Sequence, residues 1–239
     1  MSNQVLVVFD FDHTILDDNA DTSLFNLIED NEEARALWDQ YEEGKWTEFM
    51  NKVVTFVHSK GVSVDNIKNE LSKLPLVYGF GDLLHYIKNN PQFDCIIVSD
   101  ANSLFIETIL KARGLLDCVT KIITNPAVVN DNGKIIISPC HSHTHETCPP
   151  NMCKGTLLQE FLKNAEQEYF AVCYVGDGTN DLCPCLSLTA NDFAFPRRSY
   201  SLEKKIDTLP TSGHLLKAKV MKWESGLQLR YYLEEFFHS

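Results

Sequence analysis

Short apolar runs alternate with stretches of helical periodicity along most of the chain. The run Val5–Phe9 is apolar throughout and rich in β-branched residues, which is typical of a strand buried on both faces. Runs of the same kind occur at 95–98, 171–175 and 193–195. This alternation predicts an α/β fold with a Rossmann-like parallel sheet and helices packed on it.

The pattern assigns most of the chain after residue 80 to individual elements. Helices are predicted over 81–89, 103–113, 154–165, 181–188 and 227–237. Strands are predicted to end at Ser99 and Asp177, and to lie at 121–124, at 193–195 and near 219–223. A hairpin is predicted from 127–129 and 134–137, because Asp131-Asn132-Gly133 between them favours a tight turn.

Residues from about 20 to 75 contain no β-type run, and their apolar positions recur at helical spacing. We therefore predict an all-helical insertion between the first and second strands. The predicted division is an α/β core formed by residues 1–16 and 80–239, with residues 17–79 as the helical insertion.

Two carboxylates follow the first strand. Asp10 and Asp12 are separated by one residue, and Thr14 comes two residues later. Open α/β sheets bind ligands at the carboxyl ends of their strands. Two acids this close repel each other unless they share a cation or a proton. The alternative is a simple turn in which Asp and Thr act as capping residues.

Matching chemistry follows other predicted strands. Ser99 and Asp100 follow the second apolar run, Asp177 and Asp181 follow a later one, and Lys154 opens a predicted helix. Carboxylate oxygens suit Mg²⁺, and a hydroxyl with an ammonium can hold phosphate oxygens. A carboxylate can also act as a covalent nucleophile. The set therefore indicates phosphoryl transfer assisted by magnesium.

These motifs resemble the four motifs of the haloacid dehalogenase superfamily, with Asp12 typical of its phosphatase and phosphotransferase branch. The matching residues are Asp10-Phe-Asp12-His-Thr14, Ser99, Lys154 and Gly176-Asp177-Gly178-Thr-Asn-Asp181. Finer stretches resemble the small eukaryotic group that contains pyridoxal-phosphate phosphatase and phosphoethanolamine/phosphocholine phosphatase. These stretches are 17–21, 98–102, 148–154 and 195–198.

The resemblance implies a role for each motif residue. Asp10 would be the nucleophile, and Asp12 the general acid and then the general base. Magnesium would be held by Asp10, by Asp177 and by the backbone carbonyl of Asp12. Ser99 and Lys154 would hold phosphate oxygens, and Lys154 would also neutralise Asp10. An ordinary lysine in the first turn of a helix is the alternative for Lys154.

Two further motif residues are expected to position the groups around the metal. Thr14 would shape the loop after the nucleophile. Asp181 would orient its neighbours without binding the metal directly, although a ligand role through water stays open.

The superfamily places a helical cap domain where this chain has its insertion. Residues 17–79 are therefore expected to close over the site and exclude water. The linkers are predicted near 17–21 and 76–80, with Gly79 and Gly81 as hinge positions.

Two extra carboxylates suggest the kind of substrate. Acids near a phosphate site are useful if the substrate also carries a cation, and the resemblance implies that Asp21 and Asp100 face an amine-bearing end. The alternatives are a solvated cap residue for Asp21 and a helix N-cap for Asp100.

A loop rich in histidine and cysteine precedes Lys154. The resemblance and the ligand chemistry make it a possible structural zinc site, although its spacing is not that of a standard zinc finger. The alternative is a loop whose thiols and imidazoles pack around Lys154. The candidate ligands are His141, His143, His145, Cys148 and Cys153.

Together these features predict a magnesium-dependent phosphomonoesterase that hydrolyses a small phosphorylated metabolite through a phosphoaspartate. The resemblance favours pyridoxal 5′-phosphate as the substrate, and phosphoethanolamine or phosphocholine is the alternative. The same motifs would also support a phosphotransferase or mutase. A non-catalytic binding protein on this fold is the third hypothesis.

The motifs predict a small phosphate ester as the partner, and composition argues against other classes of partner. The formal net charge of −12 argues against nucleic acid and anionic membranes, which need a basic footprint. Eight cysteines without a visible signal peptide predict reduced thiols and a cytoplasmic location. No run is long enough to span a bilayer. A monomer and a homodimer both stay open.

Overall fold

A six-stranded parallel sheet forms the centre of the structure, a computed structural model that describes residues 3–28, 32–42, 44–209 and 216–237. Its strands, in chain order, are β1 (Val5–Phe9), β2 (Phe93–Asn102), β3 (Lys121–Asn125), β6 (Ala171–Gly176), β7 (Phe193–Pro196) and β8 (Lys219–Val220). A separate antiparallel hairpin consists of β4 (Ala127–Val129) and β5 (Ile135–Ile137).

Helices lie between consecutive strands of the parallel sheet. The helices are α1 (Glu32–Trp38), α2 (Trp46–Ser59), α3 (Val64–Leu71), α4 (Phe80–Asn89), α5 (Ser103–Ala112), α6 (Lys154–Asn164), α7 (Leu182–Leu186), α8 (Ser201–Asp207) and α9 (Gly226–Phe237). Short 3₁₀ helices occur at Thr22–Leu27, Leu116–Cys118 and Thr179–Asp181. The predicted α/β class with a helical insertion after the first strand is confirmed. No helix in the described ranges is long and apolar enough to cross a membrane.

The strand order β3-β2-β1-β6-β7-β8 determines where chemistry can gather. Strand β1 lies between β2 and β6, and all three run in the same direction. Phe9 is in register with Ile97 on β2 and Val175 on β6. The residues that follow these three positions therefore meet at one edge of the sheet.

The two faces of the sheet bury different elements. Val5, Val7 and Phe9 point into a core that also contains the buried residues of α2, α4, α5 and α9. Leu6 and Val8 point to the opposite core, which contains apolar residues of α6, α7 and α8. The alternation follows from the period-two geometry of a strand.

The helical insertion shares the first of these cores with the sheet. Phe49, Met50 and Val53 of α2 are buried in the same apolar cluster as Phe9. The Asn51 amide of α2 also exchanges two hydrogen bonds with the backbone of Ile137, at 2.7 and 2.9 Å, and so holds the hairpin. The division into 1–16 with 80–239 and 17–79 stays a prediction.

The two connections to the insertion lie side by side. Asp17 N donates to Pro75 O at 2.8 Å, and Val77 N donates to Ile15 O at 3.0 Å. Leu16 and Leu76 form the antiparallel bridge between these bonds. The insertion is therefore attached through a short two-stranded joint.

Gly79 and Gly81, the predicted hinge positions, lie just after this joint, at the start of α4. Gly79 begins α4 with a φ of +79°, and a Cβ there would lie 2.6 Å from Leu227 Cγ of α9. Gly81 lies inside α4. Close contact with α9 explains Gly79 better than flexibility does.

Further differences occur in the C-terminal third. Helix α8 was not predicted, and the helix predicted over 181–188 is the shorter α7 preceded by a 3₁₀ turn. Strand β8 has two residues, and Trp223 forms only an isolated bridge with Arg197. Its indole Nε1 instead donates to Phe195 O at 2.9 Å, which fixes the chain after β8.

Candidate active site

Three buried carboxylates meet at the carboxyl ends of β1 and β6. Oxygens of Asp10, Asp177 and Asp181 all lie within 4.8 Å of one another. Burial and the nearby Asp181 carboxylate raise the pKa of Asp10 well above its ordinary value, and the same causes raise the pKa of Asp177 to about 7. A divalent cation would offset this repulsion, and oxygen ligands are those that Mg²⁺ prefers. The residues present therefore fit a magnesium ion.

Lys154 supplies a positive charge inside this group. Its side chain is 1% exposed, and its Nζ lies 2.8 Å from Asp10 Oδ1 and 2.8 Å from Asp181 Oδ1. Burial alone would lower the pKa of Lys154, but the two aspartates raise it above its ordinary value. The residue is thus a buried, ion-paired lysine, and the alternative of an ordinary first-turn lysine is wrong.

Asp181 is held by donors on every side. Besides Lys154, it accepts hydrogen bonds from Tyr174 Oη at 2.7 Å and from the backbone N–H groups of Asp177 and Gly178 at 3.0 and 2.9 Å. A Cβ at Gly176 would lie 2.4 Å from Asp181 Oδ2, so glycine is needed there. This environment favours the predicted orienting role.

Two hydroxyls lie at the same edge of the sheet. Thr14 Oγ1 donates to Asp177 Oδ1 at 3.2 Å, which positions that carboxylate. Ser99 is fully buried, and its Oγ accepts from Ala101 N at 3.2 Å. Strand β2 continues past Ser99, contrary to prediction, but its pairing with β3 is irregular between Val98 and Asn102.

The Asp12 carboxyl lies outside the three-carboxylate group and has its own environment. Its Oδ1 accepts from Ala20 N at 2.9 Å, at the start of the insertion. Burial and the neighbouring Asp21 carboxylate raise the pKa of Asp12 well above its ordinary value. A carboxyl whose pKa is raised suits a general acid. The metal contact predicted for Asp12 is made by its backbone carbonyl, so it does not involve this carboxyl.

Asp21 is buried, so the alternative of a solvated residue is wrong. It is 3% exposed and accepts from Trp46 Nε1 at 2.7 Å and from Asn102 Nδ2 at 3.3 Å. Burial and the Asp100 carboxylate raise its pKa to about 7, against the effect of the Trp46 hydrogen bond. The Trp46 indole therefore joins α2 to Asp21, near the start of the insertion.

Asp100 does not cap helix α5, so that alternative is also wrong. The cap is Asn102, whose Oδ1 accepts from Phe105 N at 3.1 Å. Asp100 Oδ2 instead accepts from Asn180 Nδ2 at 2.9 Å. Asp100 therefore lies near the three-carboxylate group, and its charge contributes to the raised pKa values of Asp10 and Asp12.

Three residues of the site were not predicted to belong to it. Asn102 directly precedes a helix, and asparagine is a favoured N-cap, so that signal was available in the sequence. Trp46 and Tyr174 reach the site only through the packing of α2 and the pairing of β6, which local patterns do not show.

The histidine–cysteine loop departs from its predicted ligand set. His145, Cys148 and Cys153 come together, and Cys183 of α7 joins them, all with ligand atoms within 4.8 Å. His141 and His143 are outside this group. The Nε2 of His141 accepts from Cys153 N at 2.9 Å, and both ring nitrogens of His143 contact the loop backbone.

Comparison with known proteins gives consistent matches over nearly the whole chain. A family model described as Putative Phosphatase matches residues 5–237. Pyridoxal phosphate phosphatase PHOSPHO2 of Homo sapiens is 38% identical over 235 residues, covering 97% of this chain and 98% of that protein. Phosphoethanolamine/phosphocholine phosphatase of Homo sapiens is 32% identical over 239 residues, covering 98% and 90%.

Solved structures match the fold. A phosphoserine phosphatase in the form of a phospho-aspartyl intermediate analogue superimposes with a TM-score of 0.61 at 17% identity, covering 96% of this chain and 98% of that one. At this identity the likeness shows the fold alone.

Proposed function

The chain belongs to the putative phosphatase family, within the haloacid dehalogenase superfamily, and is a phosphatase; from this premise we propose a magnesium-dependent phosphomonoesterase that works through a phosphoaspartate at Asp10. The observation that carries the proposal is the buried contact of 2.8 Å between Lys154 Nζ and Asp10 Oδ1. The Lys154 charge opposes the rise in the pKa of Asp10, and it places a cation that can hold phosphate oxygens beside the carboxylate nucleophile.

The first half-reaction transfers the phosphoryl group to the enzyme. The Asp10 carboxylate attacks phosphorus while the bond to the ester oxygen breaks, and Asp12 gives its proton to the departing alkoxide. The products are an alcohol and phosphorylated Asp10. The raised pKa of Asp12 supports its protonated starting state.

The second half-reaction returns the enzyme to its starting form. Ionised Asp12 accepts a proton from water as the water oxygen attacks phosphorus, and the bond to Asp10 breaks. Inorganic phosphate leaves, and Asp12 is protonated again. Lys154 and Ser99 are the proposed contacts to the phosphate oxygens in both steps.

A magnesium ion, when bound, would supply positive charge beside the phosphate and offset the charge of the carboxylates. Asp10, Asp177 and the backbone carbonyl of Asp12 are the groups proposed to hold it. Thr14 and Asp181 would keep these ligands in place through the hydrogen bonds already described.

The carboxyls around Asp12 point to a substrate that also carries a cationic or protonated nitrogen. Asp21 is buried next to Asp12, and Asp100 is close enough to raise the pKa of both. A positive group would relieve their mutual repulsion. We favour pyridoxal 5′-phosphate because its pyridine nitrogen can meet this demand and because the relative of that name is more similar than the phosphoethanolamine/phosphocholine enzyme.

Phosphoethanolamine or phosphocholine is the second candidate, since a quaternary or primary ammonium would satisfy the same carboxyls. The test is phosphate release from pyridoxal 5′-phosphate, phosphoethanolamine, phosphocholine and p-nitrophenyl phosphate, each with Mg²⁺. We expect the highest kcat/KM for pyridoxal 5′-phosphate. Ester consumption that requires an added organic acceptor, and that yields the phosphorylated acceptor without inorganic phosphate, would instead indicate a phosphotransferase. No turnover of any ester would indicate a binding protein.

A further inference from the structure

Four soft ligands from two parts of the chain converge behind the active site. We call His145, Cys148, Cys153 and Cys183 the thiol–imidazole cluster. His145 Nδ1 lies 3.1 Å from Cys148 Sγ, Cys148 Sγ lies 3.5 Å from Cys153 Sγ, and Cys153 Sγ lies 3.7 Å from Cys183 Sγ. Three of these residues were expected from the loop alone, whereas Cys183 arrives from α7.

The two sulfur–sulfur separations, 3.5 and 3.7 Å, fit one metal ion better than a disulfide. Ligands around tetrahedral zinc, with bonds of about 2.3 Å to sulfur and about 2.0 Å to nitrogen, lie roughly 3.5–3.8 Å apart. A disulfide would need about 2.05 Å between sulfurs. We propose that the thiol–imidazole cluster binds one structural Zn²⁺ with three cysteine sulfurs and one histidine nitrogen, a common ligand set for structural zinc.

The surroundings of Cys153 support a metal-bound thiolate. Its Sγ accepts hydrogen bonds from Thr156 N at 3.4 Å and from Thr156 Oγ1 at 3.2 Å. Donors of this kind commonly surround a ligating sulfur and stabilise its negative charge.

The zinc would join the elements that carry Lys154 and Asp181. Cys153 is the N-cap of α6 and directly precedes Lys154, and Cys183 follows Asp181 by two residues. Gly155 makes the junction close, because a Cβ there would lie 2.7 Å from Cys183 Sγ. An open cleft of about 590 Å³ borders all four ligands, so the ion has a path to the site.

This site is separate from the magnesium site in residues and in chemistry. The three-carboxylate group offers only oxygen, whereas the thiol–imidazole cluster offers sulfur and nitrogen. Zinc favours the second set, and magnesium favours the first. Zinc content can therefore be tested without measuring phosphatase activity, and its outcome does not depend on the proposed function.

The experiment begins with the untagged full chain, purified without chelator and dialysed against buffer that contains excess Mg²⁺. Elemental analysis should find about one zinc per chain. X-ray absorption at the zinc edge should show three sulfur neighbours at about 2.3 Å and one nitrogen at about 2.0 Å. Absence of zinc, or zinc with oxygen neighbours only, would overturn the proposal.

Variants locate the site. Cys183→Ser and Cys148→Ser should each lose most of the zinc and melt at a lower temperature. Cys140→Ser is the matched control, because Cys140 is a partly buried cysteine of the same loop outside the cluster. If Cys183→Ser does not fold, the wild-type protein still decides, since a mercurial thiol reagent should release its zinc as three thiols react. Equal zinc loss in Cys140→Ser, or zinc retained by Cys183→Ser, would contradict the assignment.

Discussion

Asp21 combines burial with charge, and its contacts explain why a cation-bearing substrate would depend on it. Both of its oxygens accept hydrogen bonds, one from an indole and one from an amide. Neither donor carries a charge, so Asp21 has no ion-pair partner among these contacts. A substrate cation would supply one.

Asp21→Asn should therefore impair pyridoxal 5′-phosphate hydrolysis selectively. A charge-assisted hydrogen bond contributes roughly 1.5–3 kcal/mol, so kcat/KM should fall about tenfold to a hundredfold. For p-nitrophenyl phosphate, which lacks a cation, kcat/KM should change much less. Asp65→Asn, at an exposed carboxylate of α3, is the control and should affect neither ester. Equal losses on both esters would mean that Asp21 supports the architecture and not the substrate.

Tyr174 supports the site through the carboxylate of Asp181. Its buried hydroxyl donates to Asp181 at 2.7 Å, so Tyr174→Phe should remove one donor from a buried carboxylate. The free energy of unfolding, measured in urea, should fall by about 1 kcal/mol. Tyr169→Phe removes a hydroxyl bound to Asp94 nearer the surface and should cost less. A larger loss in Tyr169→Phe would argue against a tightly held Asp181.

Helices α4 and α9 show how closely elements approach on one face of the sheet. A Cβ at Gly226 would lie 2.4 Å from Gly79 C and 2.5 Å from Phe80 N. These are backbone atoms, so a side chain at Gly226 forces the two helices apart. Gly226 N also donates to Tyr78 O at 2.8 Å, which that movement would strain.

Gly226→Ala should consequently destabilise the protein by about 1–3 kcal/mol. The matched control is Gly81→Ala, where an added Cβ meets no atom within 4 Å and alanine favours the helix. The midpoint of thermal unfolding should thus fall in Gly226→Ala, and it should rise or stay unchanged in Gly81→Ala. A midpoint for Gly226→Ala equal to wild type would show that α9 can shift freely.

Most elements were predictable because their signals are local. Val5–Phe9 is apolar along its whole length, and the turn residues 131–133 fix a hairpin that forms as predicted. Helix α8 was missed because only Leu202 and Ile206 mark its buried face. The close packing of Gly79 against α9 was not predictable from local sequence, because α9 lies far along the chain.

The site could be predicted where its residues directly follow a strand or stand at the start of a helix. Asp10 and Asp177 meet because neighbouring parallel strands end at one edge, a rule that needs no coordinates. Cys183, Trp46 and Tyr174 depend on how separate elements dock, so no local pattern places them. His141 and His143 share the ligand chemistry of their neighbours but donate to or accept from the backbone.

At the scale of the whole molecule, the carboxylates make metal binding and stability interdependent. Burial raises the folded-state pKa of Asp177 to about 7, above its ordinary value. The folded protein without metal therefore binds more protons than the unfolded chain between about pH 4 and pH 7, so its stability falls as pH rises through that range. Magnesium binds the ionised form and should reverse the loss.

In EDTA, the melting temperature should thus be lower at about pH 8 than at about pH 6, and added Mg²⁺ should raise it more at the higher pH. Activity should disappear in EDTA and return with Mg²⁺, and Asp177→Asn should need more Mg²⁺ for half-maximal rate. Calcium is the comparison ion, since it prefers a looser geometry and should not restore activity. Full activity in metal-free buffer would contradict the magnesium site.

The central claim is that Asp10 carries the phosphoryl group during hydrolysis. Its most direct test is rapid acid quenching of a reaction with Mg²⁺ and pyridoxal 5′-phosphate that carries the radiolabel in its phosphate group, followed by peptide mapping. We predict label on the peptide that contains Asp10 in the wild-type protein, with neither label nor phosphate release in Asp10→Asn. Label on another residue, or near wild-type phosphate release by Asp10→Asn, would contradict the mechanism.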